Sequence, residues 1–476
     1  MELDKDLQAR QEARNRIRQA QEAQRLLTRM NQGQLDAMVE AMAAAFSREA
    51  ERLAEMAVAE TGFGNVPDKT TKNRFASRQV ADAVRDMKTV GILREDAREK
   101  IWEIGVPKGV IAAIVPSTNP TSTVCYKAIL AIKAGCAIVF SPHPKAMGCT
   151  REAVRIVAEA AKSAGAPEGT IACLTIPSLA GCRELMSSEG VGLILATGGP
   201  AMVKAAYSSG RPAIGVGAGN GPAYIHKSAD VPRALEDILR SKTFDNGTVC
   251  ASEQSIIVEK SMEEAVRSRG TALGFCFLDD RQAEALAKLL FRPDGTLNPQ
   301  IVGKTAEQLA KLGGFSVPGG TKVLVARETE VGVDHPYSME KLCPVLAFYV
   351  MDSEEAVLRT CQKILTHEGA GHTFAIHCQD REVIRRFAEN IPVSRFLVNT
   401  PAALGGVGLT TGLFPALTLG CGAVGGSSSS NNISPMDLID IRRVAWGKEE
   451  PPRQTTEEVE SLVQLLTEKI LSRLDG

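Results

Sequence analysis

The sequence has few aromatic residues, no surplus of positive charge and no long apolar segment. Aromatic residues make up 4% of the 476 residues, so a surface that stacks nucleic-acid bases is not expected. Lysine and arginine total 55 against 56 acidic residues, whereas nucleic-acid-binding domains carry a basic excess. No run of about 18 uncharged apolar residues occurs, so we expect no membrane-spanning helix. These absences exclude nucleic acid and membrane as expected partners.

The cysteines and histidines show no metal-binding pattern. The 11 cysteines lack paired ligand spacing and the six histidines form no H-x-x-x-H pair, so no metal is assigned. The N-terminal stretch MELDKDLQARQEARNRIRQ is charged throughout, unlike a secretory signal. An odd number of cysteines in a long chain of this kind indicates reduced thiols, so we expect a cytoplasmic protein. Most of the cysteines are interpreted as small buried hydrophobic residues.

Helical and strand-like segments alternate along most of the chain. One helix is predicted over 34–60, ended by Gly62. Strand and helix then alternate from about 109 to 226, which is typical of a doubly wound α/β fold with a parallel sheet. A second α/β region follows, with strands predicted at 255–259, 322–326, 344–350, 372–377 and 395–398. A late strand is predicted over 438–446.

The last segment is set apart by KEEPPRQ, a linker stiffened by two prolines. Thr455 and Glu458 have the spacing of a capping box, which predicts a helix over 455–474. Its apolar positions fall on one face: Val459, Leu462, Val463, Leu466, Ile470 and Leu474. Two interpretations remain open. The helix docks onto its own body or a sister subunit, or it binds a separate partner.

Four short stretches contain residues capable of chemistry. The first stretch, LILATGGPAMV, is predicted to be a strand, a glycine turn and the start of a helix, and such a turn could hold a phosphate. The signal is weak by itself, because many turns between a strand and a helix contain glycine. GVGAGNGP (215–222) fails the dinucleotide fingerprint and is interpreted as an active-site loop or a structural turn. Cys250, in NGTVCASEQS, is either an accessible nucleophile or a buried core thiol. Asn119, in VPSTNPTST, is either an oxyanion donor or a turn former.

Taken in order, these motifs resemble one family. The series VPSTNPTST, SPHPKA, TGGPAMV, GVGAGNGP, DNGTVCASEQS, MEKLCPVLAFY, GHTFAIH and RFLVNTP is similar to the aldehyde dehydrogenase superfamily, and more narrowly to its CoA-acylating members. The resemblance covers about residues 35–446. It implies an aldehyde dehydrogenase-like α/β fold, with a doubly wound nucleotide-binding domain, an α/β catalytic domain and an oligomerisation arm. The resemblance implies that residues 1–226 form the NAD-binding domain, with an arm strand near 100–108, and that residues 227–418 form the catalytic domain. Residues 419–447 then return to the NAD-binding domain and form the oligomerisation strand. Residues 448–454 are the linker, and residues 455–474 form the tail helix.

The resemblance also implies roles for individual residues. Cys250 stands where the family has its nucleophile, and Asn119 matches the asparagine that holds the oxyanion. The positions implied for cofactor binding are Pro116, Ser117, Thr118, Ser141, His143, Pro144, Thr197, Gly198, Gly199, Val203, Gly217, Glu340 and Pro344. Glu340 matches the glutamate that contacts the nicotinamide ribose.

Two positions depart from the hydrolytic members of the superfamily. Those enzymes have a glutamate that activates water, and Val216 occupies the expected place here. They usually have a lysine at the position of Ser141. Without the glutamate, a thioester on Cys250 should resist water and be released by the thiol of CoA.

The resemblance therefore implies oxidation of a short aldehyde with NAD to acyl-CoA, propionaldehyde first and acetaldehyde next. It implies a homo-oligomer, dimer or tetramer. The tail helix resembles the encapsulation helices of bacterial microcompartment enzymes, which implies a shell-protein partner through 455–474. A remnant of the linker in bifunctional aldehyde/alcohol dehydrogenases is the alternative for this segment. The competing functions are a hydrolytic aldehyde dehydrogenase that releases free acid and a non-enzymatic nucleotide-binding scaffold.

Overall fold

A computed structural model describes residues 4–448 and 456–474. The chain divides into two compact units, Met1–Gly91 with Val106–Asp440, and Ile92–Gly105 with Ile441–Gly476. The helices are α1 Lys5–Leu27, α2 Gln32–Arg48, α3 Ala50–Thr61, α4 Val66–Arg74, α5 Val80–Val84, α6 Pro120–Lys133, α7 Met147–Ser163, α8 Leu179–Ser187, α9 Pro200–Tyr207, α10 Val231–Thr243, α11 Glu263–Leu273, α12 Asp280–Leu290, α13 Ala306–Leu312, α14 Glu354–His367, α15 Arg381–Asn390, α16 Ala402–Gly406 and α17 Thr456–Leu474. The strands are β1 Gly91–Asp96, β2 Ile101–Pro107, β3 Val110–Ile114, β4 Ile138–Ser141, β5 Ile171–Cys173, β6 Val191–Thr197, β7 Ala213–Val216, β8 Gly221–Ile225, β9 Glu253–Glu259, β10 Phe275–Phe277, β11 Val323–Arg327, β12 Val345–Met351, β13 Gly371–His377, β14 Val393–Val398 and β15 Ile439–Ala445.

The helix predicted over 34–60 is two helices. Helix α2 begins in a capping box, in which Asn31 accepts from the Gln34 amide and the Gln34 side chain accepts from the Asn31 amide. It ends at Glu49, whose N–H donates to the Phe46 carbonyl oxygen, a tighter turn than that of the α-helix. Helix α3 then begins at Ala50. It ends at Gly62 in the left-handed conformation, as the sequence predicts.

The first parallel sheet has the strand order β5-β4-β3-β6-β7. Its central strands are uninterrupted apolar runs, typical of strands covered on both faces. All five residues of β3 are buried, and helix α6 packs beside it with every residue from Pro120 to Lys133 buried. The α/β fold with parallel sheets predicted from the sequence is confirmed.

The second sheet has seven strands in the order β10-β11-β12-β9-β8-β13-β14, and all its pairings are parallel. Strand β8 belongs to this sheet although it lies before residue 226, the domain boundary predicted from the sequence. Strand β8 pairs with β9 and β13, so the chain leaves the first sheet at Val216 and enters the second at Gly221. The intervening residues, 217–220, are the central four residues of the GVGAGNGP stretch.

The remaining strands form a three-stranded sheet in the order β1-β2-β15. It contains both segments predicted as the arm, 103–107 and 438–446, and Arg443 pairs with Glu103 across it at 3.0 Å. Trp102 and Trp446 make an edge-to-face contact at 4.9 Å. No helix in the described ranges is long and apolar enough to cross a membrane.

The described tail residues form α17, and every one of them is exposed. Its apolar stripe is open to solvent, with exposed fractions from 42% at Val459 to 76% at Leu474. The capping-box residue Thr455 and the linker residues 449–454 lie outside the described residues. Nothing in the described chain covers the stripe.

Candidate active site

The carboxyl ends of the first sheet open onto two adjoining cavities. One, of about 340 Å³, reaches Cys250, and the other, of about 370 Å³, lies against the loops that follow β3, β4 and β6. Parallel strands present their carboxyl ends at one edge, so residues distant in the sequence converge there. Six residues line both cavities: Pro116, His143, Thr197, Gly198, Gly199 and Pro200. The two cavities therefore form one elongated cleft.

Most residues predicted to bind the cofactor lie along this cleft. The lining includes Pro116, Ser117, Thr118, Ser141, His143, Pro144, Thr197, Gly198, Gly199, Gly217 and Glu340. Two predicted positions lie elsewhere. The side chain of Val203 packs against Gly215 in β7. The Pro344 carbonyl accepts the Leu324 N–H at 2.9 Å, which ties this residue to β11. Contact with the cofactor stays a prediction for the residues that line the cleft.

Cys250 lies on a turn that leads into β9. Asp245, Asn246 and Gly247 precede it with φ values of 49°, 51° and 77°, a left-handed stretch that turns the chain toward the cleft. The Cys250 side chain is half-buried and lines the first cavity. A methyl group on Gly219 would lie 1.8 Å from the Cys250 carbonyl oxygen, so only glycine allows this approach. The GVGAGNGP loop therefore contacts the turn that carries Cys250, and its residues Val216, Gly217 and Ala218 line the first cavity.

Burial and the neighbouring Glu340 keep the Cys250 thiol protonated near neutral pH. Burial is the main cause that raises its pKa to about 12, and the charge of Glu340 adds to it. Glu340 itself accepts a hydrogen bond from the Gly219 N–H at 2.9 Å. Burial, followed by the neighbouring Glu368, raises the pKa of Glu340 to about 8. Glu340 is therefore mostly neutral at pH 7 and becomes charged at a lower pH than the thiol, which is why its charge opposes the ionisation of Cys250.

Asn119 lies immediately before α6, at the point where β3 gives way to the cleft. Its side-chain nitrogen donates two long hydrogen bonds of 3.3 Å, to Thr118 Oγ1 and to the Thr248 carbonyl oxygen. Its side-chain oxygen accepts from Lys72 Nζ at 2.5 Å. The donor end of the amide thus faces the Thr248 carbonyl, two residues before Cys250.

A buried ionic cluster, which sequence reasoning missed, supports both residues. Asp245 is fully buried and pairs with Lys69 at 2.9 Å and with Lys72 at 2.5 Å. Burial opposes its ionisation, but the charges of Lys72 and Lys69 outweigh burial and hold its pKa below the ordinary value. Lysines three residues apart on α4 and an aspartate in a D-N-G turn form no recognisable motif. The lysines are more than 170 residues from Asp245, so no local signal could have joined them.

Much of the remaining wall of the first cavity is apolar. Its walls include Phe63, Phe75, Phe244, Leu297, Val302, Leu342, Leu404, Val407 and Leu409. Val216 also lines it, at the position where a hydrolytic relative is expected to have glutamate. Among the described lining residues, Lys72 is the only lysine or arginine and Glu340 the only carboxylate.

Comparison with known proteins decides the family. Residues 6–273 match the model of the aldehyde dehydrogenase family. The chain belongs to the aldehyde dehydrogenase family. Its sequence is 44% identical over 434 residues to the bifunctional aldehyde-alcohol dehydrogenase of Escherichia coli (strain K12), a match that covers 90% of this chain and 49% of that protein. The chain thus spans about half the length of this relative.

Solved structures of aldehyde dehydrogenases have the same fold. The acetylating aldehyde dehydrogenase of Geobacillus thermoglucosidasius matches with a TM-score of 0.92 and 49% identity, over 94% of this chain and 99% of that chain. The propionaldehyde dehydrogenase of Rhodopseudomonas palustris, solved with bound CoA and an acylated cysteine, matches with a TM-score of 0.84 and 26% identity, over 91% and 97%. The family predicted from the motifs is confirmed.

The raised pKa of Cys250 predicts the pH dependence of its alkylation in the protein without cofactor. Iodoacetamide reacts with the thiolate, and the thiolate fraction grows about tenfold per pH unit below the pKa. We expect the modification rate of the Cys250 peptide, followed by mass spectrometry, to rise through pH 10 without a plateau. Glutathione in the same buffers is the control and should level off near pH 9. A plateau for Cys250 below pH 9 would contradict the raised pKa.

Proposed function

We propose that this chain is a CoA-acylating aldehyde dehydrogenase that oxidises a short uncharged aldehyde with NAD to its acyl-CoA. The proposal rests on one observation: Cys250 and Asn119 line the same cavity, and Val216 lines it where a glutamate is expected in hydrolytic relatives. A nucleophile and an oxyanion donor are thereby present, while the carboxylate that would activate water is absent from that position.

The cleft fits a dinucleotide. It is elongated, and Gly198 and Gly199 lie where its two cavities meet, at the amino end of α9. A methyl group placed on Gly199 would meet no atom within 4 Å, so there is open space for a phosphate beside the helix amides. When bound, NAD supplies the hydride acceptor. We propose that the glycine turn holds its phosphates and that Glu340 lies next to its nicotinamide ribose.

The protein residues perform the acyl transfer. The Cys250 thiol gives up its proton to solvent and its sulfur bonds to the carbonyl carbon. The π electron pair moves to the oxygen, which accepts hydrogen bonds from Asn119 Nδ2 and the Cys250 N–H. As the C=O bond re-forms, the aldehyde hydrogen leaves with its electron pair to the acceptor, and a thioester remains. The sulfur of CoA then bonds to the acyl carbon and the Cys250 sulfur departs with its bonding pair. One thiol proton is released per turnover.

This mechanism predicts strict dependence on CoA and on Cys250. We expect sustained NADH production, followed at 340 nm, only when aldehyde, NAD and CoA are all present, with at most one NADH per active site when CoA is omitted. Cys250→Ala should remove activity, because Cys250 is the only cysteine among the described residues that line the first cavity. Cys421→Ala is the matched control and should retain activity. Steady production of free acid without CoA would favour the hydrolytic alternative.

The apolar cavity predicts the class of aldehyde. Lys72 is already paired with Asp245, so no free cation in the described lining can receive a charged substrate group. We expect kcat/KM for succinate semialdehyde to be at least about 100-fold below that for propionaldehyde, because its carboxylate would be buried without a partner. Acetaldehyde, one methylene shorter, should be roughly tenfold poorer than propionaldehyde. Equal values for the charged and uncharged aldehydes would refute this substrate class.

The exposed stripe of α17 supports a second part of the proposal, that the tail helix directs the enzyme into a protein shell. We expect Leu462→Glu with Leu466→Glu to remove co-purification with co-expressed microcompartment shell proteins while NADH production persists. Ser461→Glu is the control, since Ser461 lies on the opposite face of the helix. Unchanged loading of the double variant would rule out targeting by this stripe and favour a linker remnant.

A further inference from the structure

Lys72 is the residue that the proposed mechanism leaves unused although it lines the cavity and touches Asn119. Its ammonium donates to Asn119 Oδ1 at 2.5 Å, to Asp245 Oδ2 at 2.5 Å and, at 3.3 Å, to Thr248 Oγ1. The side chain is almost fully buried. Its three acceptors come from the strand-to-helix turn and from the turn that leads to Cys250.

The contact with Asn119 determines which end of the amide faces the thiol. An amide group has nearly the same shape after a half-turn, which exchanges its oxygen for its nitrogen. Lysine can only donate hydrogen bonds, so the amide oxygen must face Lys72. The nitrogen is then held on the other side, toward the Thr248 carbonyl. After a half-turn the cavity would contain an acceptor in place of a donor.

Lys72 is itself held in one position. Asp245 anchors it, and Asp245 is in turn fixed by the Asn65 N–H at 2.9 Å and by the Thr248 hydroxyl at 2.8 Å. Burial lowers the pKa of Lys72 to about 8 against the opposing charge of Asp245, so the ammonium form still predominates at neutral pH. A preorganised donor of this kind needs no rearrangement during the reaction.

We propose that Lys72 is a positioning residue, which fixes the orientation of the Asn119 amide so that its nitrogen stabilises the oxyanion formed on the substrate. This inference rests on the proposed function and extends it to a residue outside every motif that the sequence presents. Lys72 acts through Asn119 and bonds neither aldehyde nor cofactor.

The test compares Lys72→Met with Lys69→Met. Lys69 pairs with the same carboxylate, is equally buried and lies on the same helix, but donates to the Thr118 carbonyl instead of the Asn119 amide. Both variants remove one buried charge from Asp245, so both should lower the thermal midpoint. Only Lys72→Met should lower kcat strongly, by roughly 10- to 100-fold with KM for the aldehyde little changed, because the lost interaction acts in the transition state.

A double variant separates positioning from general damage. Asn119→Ala should lower kcat by roughly 100- to 1000-fold. If Lys72 acts through Asn119, adding Lys72→Met to Asn119→Ala should cost nothing further, whereas independent effects would multiply. Lys72→Gln, which keeps polarity with a shorter reach, is the second variant should the methionine variant fail to fold, and it should show the same non-additivity.

The outcomes are distinguishable. Equal kcat losses for the Lys72 and Lys69 variants, or multiplicative losses in the double variant, would overturn the positioning role while the proposed function stands. Full activity of Asn119→Ala would instead overturn the oxyanion assignment in the proposed function, and the role of Lys72 with it. A wild-type chain without CoA-dependent NADH production would refute the proposed function directly.

Discussion

The buried carboxylate of Asp245 is the interaction on which the geometry of the site depends. It binds two lysines of α4 and accepts the Asn65 amide and the Thr248 hydroxyl, so one side chain joins a helix from the N-terminal part of the chain to the turn before Cys250. Removing one partner of a buried ion pair leaves an uncompensated charge and costs about 3–5 kcal/mol. Such a cluster has few alternative arrangements, which makes it suitable for fixing a reactive turn.

Close backbone approach provides the second constraint. The chain crosses from the first sheet to the second between Val216 and Gly221, and Gly219 passes directly over the Cys250 carbonyl. The Gly219 N–H also donates to Glu340, which couples the crossover loop to the carboxyl group beside the thiol. Gly219 and Gly221 are therefore required for close contact between segments, at the Cys250 and Thr373 carbonyl oxygens, in a stretch that lacks the dinucleotide fingerprint.

Local sequence patterns predicted the elements of the fold better than their assembly. The apolar stretch 191–197 forms strand β6 over its full length, and helix α3 ends at Gly62 as predicted. The break at Glu49 has no sequence signal, since glutamate suits a helix interior. Strand β8 was not predicted, and its pairing in the second sheet has no local signal, because strand pairing is set by contacts far apart in the chain. Cys250 and Asn119 could be found because they lie in motifs, whereas Lys72 and Asp245 could not, because the long-range contact alone makes them part of the site.

In the proposed reaction, the fate of the thioester follows from the same arrangement. Water has a pKa of about 15.7 and a thiol about 8.5, so water needs a strong base at the acyl carbon while a thiol needs little help. At position 216 an apolar side chain replaces the carboxylate. Glu340 is mostly protonated near pH 7 and its Oε1 already accepts from Gly219, which leaves it poorly suited to remove a proton from water. The thioester would then react with the thiol of CoA in preference to water even if water enters the cavity. The selectivity against hydrolysis would come from the missing base and would not require the exclusion of water.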